Sequence, residues 1–144
     1  MNSETFDNFH PLNFLDLSKK LINFLEDNGW DNSSLERTIF GRLYYGTFLY
    51  VREWLGERTD FNVKHTGEDH KNIPRYIKSK GPFENEVNLL ISSEFKELRK
   101  LRNQADYHLK VPSEDSEEYG RWINEDLNYA LDLAEDIIDS FKNF

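Results

Sequence analysis

The sequence predicts an all-α protein: an up-down bundle of four main helices with one additional short helix. Three observations lead there. Apolar residues recur at helical spacing along four long stretches of the chain. No segment of any length alternates with the period of a strand, and there is no internal repeat or low-complexity run. Glycine and proline punctuate the chain between the stretches, at Asn28-Gly29, Gly81-Pro82 and Val111-Pro112-Ser113. A chain of 144 residues is expected to form one domain, residues 1–144, with residues 1–10 as a loose arm.

The first helix is expected from Pro11 or Leu12 to Asp27. Proline suits a first turn, Leu12, Leu15, Leu21, Ile22 and Leu25 recur at helical spacing, and Asn28-Gly29 is a stop signal. Ser33 with Glu36 reads as a capping box for a second helix, Ser34 to Gly56. Two apolar faces merge there, one through Leu35, Ile39, Leu43, Thr47, Tyr50 and Trp54, the other through Phe40, Tyr44, Phe48, Val51 and Leu55. A helix apolar on most sides belongs at the centre of a bundle. Thr38, Arg42, Tyr45 and Arg52 form its more polar face, and close helix packing is the expected reason for Gly41 and Gly46.

Residues 57–81 read as an irregular connection with a short helix near 68–79, interrupted or restarted by Pro74. Pro82 is placed to open a third long helix, with Glu84 and Glu86 in its first turn. Val87, Leu90, Ile91, Phe95, Leu98, Leu101 and Ala105 give that helix its expected core face. The last helix is expected from Ser113 or Ser116 to Phe141, with Trp122, Ile123, Leu127, Ala130, Leu131, Ala134, Ile137, Ile138 and Phe141 inward and its acidic residues largely opposite.

Composition narrows the chemistry. Hydrophobic residues are 38% of the chain and aromatics 15%, enough to build one core without a disulfide or structural metal. With no cysteine, thiol nucleophiles, thiolate metal sites and a secreted disulfide scaffold are excluded. Neither a basic N-terminal leader nor an apolar run of about 18 residues is present, so the expectation is a cytoplasmic protein with no membrane partner. A net charge of −9 argues against general adhesion to nucleic acid or anionic lipid. The acidity is uneven, however. Residues 94–110 carry five basic against three acidic residues, whereas residues 114–144 carry ten acidic against Arg121 and Lys142. A local positive site on an acidic body suits selective RNA binding or an acidic patch on a protein.

That local site is the stretch Glu97-Leu-Arg99-Lys-Leu101-Arg102-Asn103-Gln-Ala105-Asp106-Tyr107-His108. Arginines beside an apolar stripe need a partner or a ligand. Arg102 and Asp106 are four apart and share a helix face, as an ion pair would. His108 is six residues beyond Arg102, so on an ideal helix the two point about 120° apart. One reading is structural: an Arg102–Asp106 pair and a histidine at a helix C-terminus. The other is a metal-independent ribonuclease. There, His108 moves the proton of the 2′-hydroxyl or of the leaving 5′ oxygen, Arg102 clamps the scissile phosphate, and Asn103 positions it. Asp106 would orient Arg102, and Arg99 would add positive potential. With one histidine per motif, acid and base would face each other across a symmetric homodimer.

Arg102-Asn103-Gln-Ala-Asp-Tyr-His108 resembles the signature of the HEPN superfamily, arginine and histidine separated by four to six residues with a polar residue after the arginine. Arg42-Leu43-Tyr44-Tyr45-Gly46-Thr47-Phe48 is similar to the central helix of small prokaryotic members, and Lys64-His65-Thr66-Gly67 to a loop that precedes their motif helix. Ala105-Asp106-Tyr107 resembles a tripeptide of one subgroup, in which the histidine is often missing; here His108 is present. The resemblance covers residues 33–140. It implies a helical bundle that dimerises through the motif helix, and a metal-free endoribonuclease leaving 2′,3′-cyclic phosphate ends. Such proteins are often toxins or antiviral effectors, encoded with a nucleotidyltransferase antitoxin. In one branch a tyrosine two residues after the histidine is modified by that antitoxin; here Leu109-Lys110 follows, so that tyrosine is absent. Other members lack activity, and the alternative is a non-catalytic module that binds a nucleotide or a nucleotidyltransferase partner.

Outside the motif, Arg42, Tyr44 and Tyr45 read as core aromatics with an arginine holding a carboxylate, or as a cleft border where Arg42 or Tyr45 meets RNA. Tyr107 would join them as a substrate contact. His65, Asp69 and His70 lack the i, i+4 spacing of a helical zinc pair and no further ligand is evident, so no metal and no cofactor is expected. A loop histidine near an RNA path is the preferred reading of these two.

Overall fold

A computed structural model of the chain describes residues 11–28, 33–107 and 117–144, with side chains throughout except at 33, 106–107 and 117–125. Five helices account for nearly all of it: α1 (Leu12–Asn28), α2 (Ser33–Arg58), α3 (Asp69–Lys80), α4 (Asn85–Tyr107) and α5 (Glu117–Lys142). The chain is an all-α bundle of four long helices and a shorter one, as its periodicity predicts. The expected N-terminal arm lies outside the described residues. Among the described residues no helix is long and apolar enough to cross a membrane.

Helix α2 touches each of the other four. Its two apolar faces explain this: Ile39, Phe40, Leu43, Tyr44, Phe48, Val51, Trp54 and Leu55 are all buried. They meet Ile22 and Leu25 from α1, Ile73 and Ile77 from α3, Phe95 and Leu98 from α4, and Leu127, Ala134, Ile137 and Phe141 from α5 in one continuous core. Full burial of a side chain such as Phe95 contributes about 1.5–3 kcal/mol. Of the two glycines of α2, only Gly46 is explained by close packing. A Cβ there would lie 2.7 Å from Phe14 Cβ and 3.1 Å from the Pro11 carbonyl oxygen, whereas one at Gly41 would meet nothing within 4 Å.

Three local expectations are corrected. Pro74 neither interrupts nor restarts α3, which runs unbroken from Asp69 to Lys80. The proline ring is buried, and the Ser92 hydroxyl of α4 donates to its carbonyl at 2.8 Å, which ties the two helices together at this turn. Pro82 does not open α4. It sits in a bend, and the helix begins at Asn85. That bend is held by Asn88, whose amide donates to the carbonyls of Gly81 (3.1 Å) and Phe83 (3.0 Å) and whose oxygen accepts from Phe83 N–H (3.1 Å). Finally, Val87 and Leu90 are exposed, at 36% and 58%. The inward face of α4 starts at Asn88, Ile91 and Ser92 and continues through Phe95, Leu98, Leu101 and Ala105. The ends of α1, α2 and α3 and the C-terminal end of α5 fall within two positions of those expected; the expected start of α5, Ser113 or Ser116, lies outside the described residues.

Candidate functional site

Helices α3 and α4 run side by side and leave a groove of about 720 Å³ between them. One wall is the face of α3 carrying His70, Lys71, Pro74, Arg75 and Lys78; the other is the face of α4 carrying Lys96, Arg99, Lys100, Asn103 and Gln104. Six of these are permanent cations and none is a carboxylate. On a protein of net charge −9 this concentrates positive potential in one channel. The spacing on each helix produces it: 71, 75 and 78, and 96, 99/100 and 103, each recur every three or four residues and share a face.

The head of the groove is built on aromatic rings. His70 stacks on Phe48 with ring centroids 4.0 Å apart, and on Tyr44 at 5.5 Å. Its Nδ1 is hydrogen-bonded to the Tyr44 hydroxyl at 2.6 Å. Three guanidinium groups surround these rings. Arg102 lies over the Tyr44 ring at 5.7 Å, Arg52 lies over Phe48 at 5.3 Å, and Arg99 lines the groove beside His70. The Nε atoms of Arg52 and Arg99 are buried with no hydrogen-bond partner among the described residues. Burial, and then the charges of Arg99 and Arg102, push the His70 pKa below that of an ordinary histidine; Asp69 opposes this and Arg52 adds to it. Burial also raises the Tyr44 pKa, against the pull of Arg99 and Arg102, so the phenol keeps its proton.

The loop before α3 places His70. Asp69 is fully buried, and its carboxylate accepts the backbone N–H groups of Lys64 (3.1 Å) and His65 (2.9 Å). His65 itself adopts a left-handed conformation (φ 57°), the turn those two bonds secure. Both Asp69 oxygens are thus engaged by the loop backbone. Among the described residues no group of three histidine or acidic side chains could hold a metal ion.

The predicted site residues separate into groups. Arg99 and Asn103 line the groove, and Arg102 sits on the neighbouring face of α4 above Tyr44. Tyr45 is half-exposed and packs its ring against Phe48 at 6.0 Å, on the same aromatic cluster. Arg42 is elsewhere: its guanidinium lies 6.0 Å from the Phe14 ring, on the α1 side of α2. Asp106 and Tyr107 are the last described residues of α4, and their side chains lie outside the described residues, as does the whole of His108. Sequence reasoning missed the α3 wall and the role of His70 at the groove's head. The signal was present as a Lys71, Arg75, Lys78 stripe on one helix with a matching cationic stripe on the next.

The chain is 33% identical over 120 residues to the uncharacterized protein MJ0628 of Methanocaldococcus jannaschii, an alignment covering 73% of this chain and 67% of that protein. It is 34% identical over 109 residues to the uncharacterized protein MJ0992 of the same archaeon, covering 68% of this chain and 60% of that protein. The chain therefore spans 60–67% of the length of these relatives. No family model and no solved structure matches it.

Proposed function

This chain belongs to the family of the archaeal protein MJ0628, and we propose that it is a metal-independent endoribonuclease of the HEPN type, acting as a homodimer. The observation that carries the proposal is the α3–α4 groove, with six cations, two amides, an imidazole and no carboxylate, on an otherwise acidic protein. Cations in a channel neutralise successive phosphates, and the amides of Asn103 and Gln104 offer donors and acceptors to sugar and base. An acidic body around the channel repels nucleic acid elsewhere and confines binding to it.

The catalytic roles follow the motif. Arg102 and Arg99 stabilise charge on the scissile phosphate, Asn103 positions it, and Tyr45 offers a ring for base stacking, worth about 1–3 kcal/mol per base. His108 is the general acid or base named by the resemblance, Asp106 orients Arg102, and Tyr107 is a substrate contact. The products carry 2′,3′-cyclic phosphate ends. A cytoplasmic toxin or antiviral effector, held in check by a nucleotidyltransferase antitoxin, is the setting such an activity fits. Purified protein should cut RNA in EDTA, and His108→Ala should abolish cutting with helicity intact. Equal cleavage by that variant would contradict the assignment of His108.

A second reading is favoured by the exposed apolar residues Val87, Leu89 and Leu90 on α4, of which Leu89 borders the cationic face at Lys96 and Lys100. These would let the bundle serve as a non-catalytic module that holds a nucleotide or docks a nucleotidyltransferase. Such a protein would gain thermal stability with nucleotide or partner yet leave RNA intact.

A further inference from the structure

We infer that His70 is a catalytic residue, the base that takes the 2′-hydroxyl proton of RNA held in the groove of the same chain. The inference rests on the ribonuclease reading above, and it departs from the motif, which supplies no histidine from α3.

Four observations support it. First, His70 is the imidazole that lines the groove, at the end where the aromatic floor and three guanidinium groups meet. A phosphate drawn to Arg99 therefore arrives beside it. Second, Nδ1 is engaged by Tyr44 at 2.6 Å, and in the tautomer whose Nδ1–H donates to the phenol oxygen, the one the proposal requires, Nε2 is the unprotonated ring nitrogen. Third, the ring cannot swing freely. It is stacked on Phe48 and Tyr44, and the helix turn that carries it is anchored by Asp69 to the loop backbone. Fourth, the charges around it favour the neutral ring, in a groove whose other charged side chains, Lys71, Arg75, Lys78, Lys96 and Lys100, are all cations. Arg99 and Arg102 from α4 and Arg52 from α2 disfavour its cation, Asp69 on its own helix favours it, and Tyr44 from α2 stays a neutral phenol. The imidazole is therefore a free base near neutrality, the state a proton acceptor needs.

In the step, Nδ1–H donates to the Tyr44 oxygen and Nε2 takes the proton of the 2′-hydroxyl as the bond from the 2′ oxygen to phosphorus forms. The bond from phosphorus to the 5′ oxygen breaks, its electron pair stays on that oxygen, and the oxygen takes a proton from the general acid, the role this assignment leaves to His108 of the motif. Water then takes the proton from His70 and returns one to His108, restoring both. The products are a 2′,3′-cyclic phosphate and a 5′-hydroxyl. Arg99 and Arg102 stabilise the charge on the non-bridging oxygens, and Tyr44 acts as a positioning residue, holding the ring and accepting from the imidazolium.

The test is cleavage of a labelled RNA by the full chain in EDTA across about pH 5 to pH 9, with RNA affinity and helicity measured in parallel. His70→Ala should cut at least about 100-fold more slowly, bind RNA within a few-fold of the wild type, and regain rate in proportion to added imidazole. Tyr44→Phe keeps the ring stack but removes the oxygen that accepts from the imidazolium. It should shift the acid limb of the pH–rate profile to lower pH. Should His70→Ala fold poorly, this shift carries the test. Cleavage by folded His70→Ala within a few-fold of the wild type, or a pH profile unmoved by Tyr44→Phe, would overturn the role of His70 while leaving the ribonuclease reading in place. A wild-type protein that binds RNA and never cuts it would overturn both.

Discussion

Replacing Lys71, Arg75 and Lys78 together with glutamine removes every cation from the α3 wall of the groove and leaves the α4 wall untouched. All three side chains are exposed, so the fold should lose little, within about 0.5 kcal/mol per site. The effect on RNA should be large and diagnostic. Six groove cations, each neutralising one phosphate, predict that log K falls with log salt at a slope of about −4 for a single strand. A fourfold rise in salt would then weaken binding by about 300-fold. With three cations gone, the slope should fall to about −2 and the same rise in salt should cost only about 20-fold. The measurement is fluorescence anisotropy of a labelled strand bearing 2′-deoxy sugars, which cannot be cleaved by 2′-hydroxyl attack, over a salt series. Lys19→Gln is the control. Lys19 pairs with Glu135 at 3.5 Å, away from the groove, and its loss should leave the slope unchanged. If the triple variant kept the wild-type slope, the α3 wall would not be a phosphate track.

Other outcomes follow from the packing and the titratable groups. Gly41→Ala should stabilise the protein by about 0.5–1 kcal/mol, because a Cβ there meets nothing and alanine is the better helix former. Gly46→Ala should instead destabilise it by up to about 2 kcal/mol in urea unfolding, since overpacking against Phe14 and Pro11 outweighs the same propensity gain. Glu94 has a pKa raised from 4.5 to about 7, first by burial and then by its neighbour Asp136, so the folded state holds this proton more tightly than the unfolded chain does. The associated stability is present below about pH 4.5 and is lost as pH rises towards 7. A melting temperature that falls over that window, and falls less steeply in Glu94→Gln, is the expected result.

The periodicity of α1, α2 and α5 makes these helices legible in the sequence, because long stretches with one or two unbroken apolar faces have few other ways to bury them. Periodicity gives a face but not its edges. Val87 and Leu90 have the right spacing for the inward stripe of α4, yet each sits one position before a buried residue, Asn88 and Ile91, and so falls outside the buried face. Pro74 shows a related limit: its ring is buried and its carbonyl is bonded by Ser92, a residue on another helix, so its place in mid-helix is not written in the sequence of α3. The candidate site divides in the same way. Arg99, Arg102 and Asn103 stand out within one segment of sequence. The groove does not, since Lys71, Arg75 and Lys78 look like an ordinary solvated face until α3 is laid against α4. His70 reads as a loop histidine in the sequence, because its partners Tyr44 and Phe48 are more than twenty positions away.

The central claim is that RNA is held and cut in the α3–α4 groove without a metal. The most direct measurement is end-group analysis of labelled RNA incubated with the protein in EDTA, beside a Lys96→Glu, Arg99→Glu variant. The account predicts fragments ending in 2′,3′-cyclic phosphate and beginning with 5′-hydroxyl, produced by the wild type and lost in the charge-reversed variant with helicity intact. Intact RNA with the wild type, or the same fragments at the same rate from both proteins, would contradict it.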